Sequence, residues 1–353
     1  MRDVIGQRRL LERLGTQALR GDVAHAYELS GPRSIGKHTV ALRLAQTLNC
    51  VAEAPIAGGC GTCISCRKIQ KGIHPDVITI TRLVDQIEQR GKREGERKQD
   101  AKYVTIDQVR EMQMDLALRP LEGRKRVVII DDASDLSDQA EVALLKTLEE
   151  PPSHAVLLLV TPTPSALTET VRSRLQPLPF RLVARADIED GLSSRFGASA
   201  ARFAGAAAGK PGVAIALASD ESARTARAAL EQELYMLIGS RLTERFAWAA
   251  ALSDERDTQK RNEEIDMRLV HWGELLRDAA VVAIGVTERP MRPDQAERSK
   301  RLAAGVSTHD LVELTQSFER WRRDIAETTV SARMLLELLA LKLPYREDMV
   351  NAA

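Results

Sequence analysis

The feature that most limits the fold is a glycine-bounded loop, Gly31-Pro32-Arg33-Ser34-Ile35-Gly36-Lys37-His38-Thr39, between a short strand pattern and a helix pattern. Glycines let successive backbone N–H groups turn inward, the lysine adds a point charge, and a helix N-terminus follows, so the loop suits phosphate oxygens. Val40, Ala41, Leu44, Ala45 and Leu48 mark the helix by recurring on one face. Strand, loop and helix in this order are half of a βαβ unit. The runs Val127–Ile130 and Ala155–Val160 are continuously apolar, as strands buried on both faces of a parallel sheet should be. Asp76–Ile80 reads as a further strand, and helices are expected over 4–20, 37–48 and 106–118 and ahead of Pro151-Pro152.

From about residue 181 the pattern changes to alanine- and leucine-rich helices, broken at Gly209-Lys210-Pro211-Gly212 and near Pro290–Pro293. The expected organisation is an α/β domain over 1–180, a small helical domain over 181–220 and an all-helical domain over 221–353. Aromatic residues are only 3% of the chain, which disfavours a single-strand binder built on base stacking. Lysine and arginine number 51 against 50 aspartates and glutamates, so no global field draws the chain to nucleic acid or anionic lipid. The apolar runs fall far short of the ~18 residues that span a bilayer, and the N-terminus lacks a signal-peptide stretch, so a cytoplasmic protein without membrane contact is expected. Residues 82–102 mix both charges with almost no apolar content and read as a solvated surface loop.

The loop departs from the usual phosphate-binding pattern at one position. The residue after the lysine is normally a Ser or Thr that ligates Mg²⁺, and here it is His38, leaving Thr39 to substitute from another direction. Imidazole is a poor magnesium ligand, so ATP binding can survive while catalysis weakens. The strand 127–130 ends in Asp131-Asp132, where such folds place a magnesium-associated Asp followed, in active hydrolases, by a water-polarising Glu. Asp132 is one methylene shorter than that Glu; it either polarises water poorly or simply caps the loop.

All four cysteines, Cys50, Cys60, Cys63 and Cys66, lie within 17 residues. The two-residue spacings let consecutive sulfurs face one tetrahedral ion around a tight turn, with Gly61 inside it. Four thiolates close the coordination sphere, which argues for structural Zn²⁺ rather than a catalytic metal or disulfides.

Taken together and in order, these motifs resemble the AAA+ clamp-loader subunits of bacterial DNA polymerase III. The resemblance rests on Val4-Ile5-Gly6-Gln7, His25-Ala26-Tyr27, the phosphate loop, the cysteine insertion and Asp107-Gln108-Val109-Arg110. It continues through Asp131-Asp132-Ala133, Ala143–Pro152, Arg172-Ser173-Arg174 and the late helix Ala332-Arg333-Met-Leu-Leu-Glu337-Leu-Leu. It implies a P-loop AAA+ module with a parallel sheet, flanking helices and a zinc insertion, then a small helical lid and an all-helical collar. Val4, Ile5, Gly31, Gly36, Lys37, His38 and Thr39 would lie around the nucleotide, with Thr161 as its first sensor. Arg174 would be an arginine finger acting in trans on a neighbour's ATP, although Leu175 replaces the family's cysteine. Gly212 stands where motor subunits carry a sensing arginine, and Glu28 where the family has an apolar strand residue. The implied partners are gamma/tau and delta subunits in a hetero-pentamer, the sliding clamp and primer-template DNA. The weakened positions imply a stator; the alternative is a motor subunit hydrolysing its own ATP through Lys37, Asp131 and Asp132.

Overall fold

A computed structural model describes residues 4–81, 103–131, 133–255, 258–285, 296–304, 306–327 and 330–346. Asp132, the charge-mixed stretch 82–102 and the break at 290–293 lie outside them. The chain divides into two compact units, one formed by residues 1–195 and 209–213, the other by 196–208 and 214–353. Residues 181–220 are therefore shared between the two.

The first unit holds a five-stranded parallel sheet in the order β2-β3-β4-β1-β5. Its strands are β1 (Ala26–Ser30), β2 (Val77–Ile80), β3 (Arg126–Ile130), β4 (Ala155–Thr161) and β5 (Gln176–Pro179). The sheet is flanked by α1 (Arg8–Arg20), α2 (Lys37–Asn49), α3 (Ile64–Gln70), α4 (Ile106–Ala117), α5 (Asp138–Glu149) and α6 (Glu169–Arg172). The three apolar strands β1, β3 and β4 are buried throughout, because a parallel sheet is covered on both faces. Val128, Ile130, Leu157 and Leu159 pack with Val109, Leu144 and Val171 in one core.

Two expectations change. The first helix starts at Arg8 rather than residue 4, because Gly6 (φ 77°) and Gln7 (φ 54°) take left-handed conformations that end any helix before it. Strand β5 was not legible, since Pro177 and Pro179 argue against a strand; it forms at the sheet's edge, where missing N–H donors are tolerated.

A buried carboxylate positions the β3 side of the sheet. Asp76, fully buried ahead of β2, accepts N–H bonds from Leu121, Glu122 and Gly123 at 2.7–2.8 Å. Burial pushes its pKa up, but these three amides and the Arg126 charge outweigh that and hold it below the ordinary value.

The second unit is helical among its described residues. It includes α10 (Glu221–Gly239), α11 (Leu242–Ser253), α12 (Thr258–Ala283), α13 (Ala296–Ala303), α14 (Thr308–Glu327) and α15 (Ala332–Lys342), preceded by α7 (Arg185–Phe196), α8 (Phe203–Ala206) and α9 (Pro211–Ser219), of which α7 and α9 begin in the first unit. Trp272, Phe318, Leu276 and Leu336 fill its core. Trp248 and Trp272 rings stand 5.7 Å apart, and the Trp272 indole donates to the Leu230 carbonyl at 2.7 Å, so the tryptophans serve packing. Arg245 is buried and donates to the carbonyls of Ile238, Ala340, Leu343 and Pro344 at 2.6–3.2 Å. One guanidinium thus satisfies backbone acceptors at the ends of α10 and α15, where helices leave carbonyls unpaired.

Candidate functional site

The loop leaves β1 at Ser30 and enters α2 at Lys37. Gly31 has φ 148°, and a Cβ there would lie 2.6 Å from the Phe180 carbonyl oxygen, so only glycine fits. Gly36 (φ 100°) turns the chain into α2. A Cβ on it would be 3.8 Å from Val4, which brings the N-terminal segment to the loop; Ile5 packs instead against Gly191 of α7.

The loop's polar groups engage one another. Lys37 is mostly buried, and its Nζ donates to the carbonyls of Gly31 (2.6 Å) and Pro32 (2.9 Å). The Ser34 carbonyl accepts the Gly212 amide at 2.8 Å. A Cβ on Gly212 would sit 2.8 Å from that same oxygen, so the chain cannot carry a longer side chain there without moving the loop. His38 Nδ1 lies 3.1 Å from Asp131 Oδ2, a close contact but not an aligned hydrogen bond. Thr39, one residue and a 100° turn further on, is exposed. The imidazole therefore occupies the approach to Asp131 that a magnesium-ligating hydroxyl would take.

Thr161 ends β4, fully buried, with its carbonyl accepting Gly31 N–H at 3.2 Å and its hydroxyl 3.5 Å from Glu28 Oε1. Glu28, the strand residue that broke the apolar pattern, is buried in β1 between β4 and β5. Burial pushes its carboxyl above the ordinary range, partly offset by the Arg172 charge and the Thr161 hydroxyl.

Arg174 follows α6, away from the loop's hydrogen bonds. It donates from Nη1 to the Thr170 carbonyl (2.8 Å) and Ser173 Oγ (3.3 Å), and from Nη2 to Glu149 Oε1 (2.7 Å). A third of its side chain is exposed. Leu175, at the position of the departing cysteine, is buried in the sheet's core, consistent with a residue that only packs. Reading the sequence missed Glu149 as a partner of Arg174. The available signal was Glu149-Glu150 at a helix end, where the backbone dipole favours cations.

The four cysteines converge. Their sulfurs all lie within 4.8 Å of one another, and none is in a disulfide. A tetrahedral zinc with bonds near 2.3 Å would bring them to about 3.8 Å, a small contraction. Cys63 N–H donates to Cys60 Sγ at 3.2 Å and Cys66 N–H to Cys63 Sγ at 3.4 Å, the polarity that stabilises thiolate ligands. The Cys63 amide leads in lowering the Cys60 thiol to about 6, while burial pushes Cys66 up to about 12. A Cβ on Gly59 would lie 2.8 Å from Cys66 Sγ, so the backbone closes tightly on the cluster. The donor set fits a structural zinc. Gln46 Nε2 donates to the Cys66 carbonyl and Gly58 N–H to Thr47 Oγ1, both at 2.8 Å, which ties the module to α2.

Known proteins align with this arrangement. The DNA polymerase III delta subunit family matches residues 6–184, just over half of the chain. The gamma/tau subunit of Mycobacterium tuberculosis DNA polymerase III is 34% identical over 181 residues, covering 51% of this chain and 28% of that protein. The Escherichia coli tau subunit is 37% identical over 182 residues, covering 52% and 25%. The chain thus spans about a quarter of the length of these relatives. A gamma subunit-related protein of Thermotoga maritima aligns over 97% of this chain and 100% of its own, at 14% identity and TM-score 0.42. With its five-stranded parallel sheet, its phosphate loop, its cysteine insertion and the Arg172-Ser173-Arg174 segment in place, the chain belongs to the DNA polymerase III delta subunit family, clamp-loader subunits related to gamma/tau.

Proposed function

We propose that the chain is a delta-prime-type stator of the bacterial clamp loader, supplying Arg174 in trans to a neighbouring subunit's ATP while its own loop hydrolyses little or none. The observation that carries this reading is the contrast in charge. Lys37 is turned onto its own loop's carbonyls and His38 stands against Asp131, whereas Arg174 reaches the surface. A guanidinium beside a neighbour's γ-phosphate would stabilise the charge that spreads over its oxygens during transfer. Gly212 supports the same reading, because its close approach to Ser34 leaves no room for a sensing arginine.

Under this reading residues 181–220 act as lid and 221–353 as the collar joining a hetero-pentamer with gamma/tau and delta subunits. The assembly acts on the sliding clamp and primer-template DNA in the cytoplasm. No described helix is long and apolar enough to cross a membrane. Zn²⁺ held by Cys50, Cys60, Cys63 and Cys66 is structural, fixing the module against α2. ATP with Mg²⁺ can occupy the loop only if Lys37 exchanges its carbonyl partners for phosphate.

The competing reading is a motor subunit, favoured by the gamma/tau relatives at 34–37% identity. The test is primed-DNA-stimulated ATP turnover of the reconstituted loader with its clamp, comparing Arg174→Ala and Lys37→Ala with wild type. The stator reading expects a loss of ~10³ or more for Arg174→Ala and little change for Lys37→Ala. A large loss for Lys37→Ala would make the chain a working ATPase.

A further inference from the structure

We infer that Glu149 is a positioning residue for Arg174: it fixes the guanidinium before a neighbouring subunit's ATP arrives. The inference rests on the trans role of Arg174 proposed above.

Glu149 is the last residue of α5, and Glu150 follows it. Helix C-termini carry a partial negative charge and favour cations, so a carboxylate there runs against the local rule unless a cation lies close. Arg174 is that cation, 2.7 Å away and 25 residues further along the chain. The guanidinium has five N–H donors. Nη1 faces the Thr170 carbonyl and Ser173 Oγ, and Nη2 gives one bond to Glu149. The first two acceptors belong to the arginine's own segment and move with it. Glu149 belongs to a different element, so among the described residues it alone ties the plane of the guanidinium to the body of the sheet. Nε–H and the second Nη2–H are not used by these bonds.

Whether the carboxylate prepares the arginine or withholds it is decided by strength. Glu149 is 51% exposed and the arginine 34%, and exposed ion pairs are weak. Such a pair cannot hold a guanidinium back from a multiply charged triphosphate. It is strong enough to select one rotamer among several, which removes an ordering cost from the step in which the arginine docks.

The experiment is the ATP turnover of the reconstituted loader on primed DNA with clamp, using Glu149→Ala, Glu149→Gln, Arg174→Ala and Glu149→Ala with Arg174→Ala. Glu149→Ala is expected to lower kcat by roughly two- to fivefold with KM for ATP unchanged, the most that losing the preorganisation from an exposed ion pair can cost. Glu149→Gln keeps an acceptor oxygen and should retain most of the activity. In the Arg174→Ala background Glu149→Ala should have no further effect, because it acts through the arginine. A rise in turnover for Glu149→Ala, an equal loss in the Arg174→Ala background, or no effect beside an effective Arg174→Ala would each overturn the inference alone. An ineffective Arg174→Ala would instead overturn the trans role itself, and the inference with it.

Discussion

The phosphate loop and the Arg174 segment belong to the same sheet-bearing unit, yet they dispose of positive charge in opposite ways. In the loop, Lys37 Nζ meets two carbonyls of the turn that carries it, and His38 stands against Asp131. After α6, Arg174 is held by one carboxylate and two acceptors at the surface, with a third of its side chain exposed. Under the stator reading proposed above, the difference teaches that one module can keep the architecture of a phosphate loop while its usable charge lies elsewhere. Under that reading two or three substitutions suffice, because glycines dictate the loop's backbone while its chemistry depends on Lys37, His38 and Gly212.

The largest expected effect tests the surface half of this comparison. Arg174→Ala should reduce loader ATP turnover by ~10³ or more, and an Arg174→Lys variant should recover little, since ammonium cannot reproduce the planar fork. Next comes the support under the loop. Cys60→Ser should cost more than about 4 kcal/mol, the range reached when a structural metal is lost. Hydrogen exchange should rise across residues 37–70, where the module is tied to α2, and stay unchanged around Arg174; zinc content measured by mass spectrometry should fall in parallel. Exchange rising equally around Arg174 would erase the distinction between the two regions.

Gly212→Arg would introduce the sensing guanidinium that the motor reading requires, and tighter ATP binding by it would break the comparison. With a Cβ 2.8 Å from the Ser34 oxygen, the expected result is about 1–3 kcal/mol of destabilisation by overpacking and no tighter ATP binding by calorimetry. Glu28 gives a pH-dependent effect. Burial raises its folded pKa above the ordinary value of 4.5. Its contribution is therefore fully present below that value and is lost as pH rises through the folded pKa, because the unfolded chain ionises first. Glu28→Gln should flatten this slope in denaturation curves taken from pH 4 to pH 8. The smallest effect is expected for Lys37→Ala, within about twofold of wild-type turnover, since under the stator reading the turnover takes place at a neighbouring subunit's site.

Much of this was legible in the sequence, for local reasons. The loop and cysteine cluster are short-range objects: glycine positions and two-residue spacings dictate backbone shape within a few residues. The buried strands β3 and β4 were legible because continuous apolar runs have few other uses. What escaped was non-local. Strand β5 forms because an edge tolerates its prolines, a fact about position in the sheet. Glu28 looked misplaced because its partners, Thr161 and Arg172, are more than a hundred residues away. Thr39 seemed able to replace the missing hydroxyl, but helix rotation turns it outward and gives the place to His38. The pairing of Glu149 with Arg174 joined two segments that sequence reading treated separately.

Arg245 has a consequence for the order in which the second unit matures. Its carbonyl partners at Ala340, Leu343 and Pro344 come 95 to 99 residues after it. At translation rates of about 5–20 residues per second, this guanidinium waits roughly 5–20 s for them. Until then α10 and α11 can coil, but the cation has only the Ile238 and Ser240 carbonyls of its own hairpin to meet. The last of the described helices to emerge is therefore the one that locks the earlier ones. Released chains truncated before residue 340 should remain protease-sensitive across 221–283, and those extended past 346 should resist.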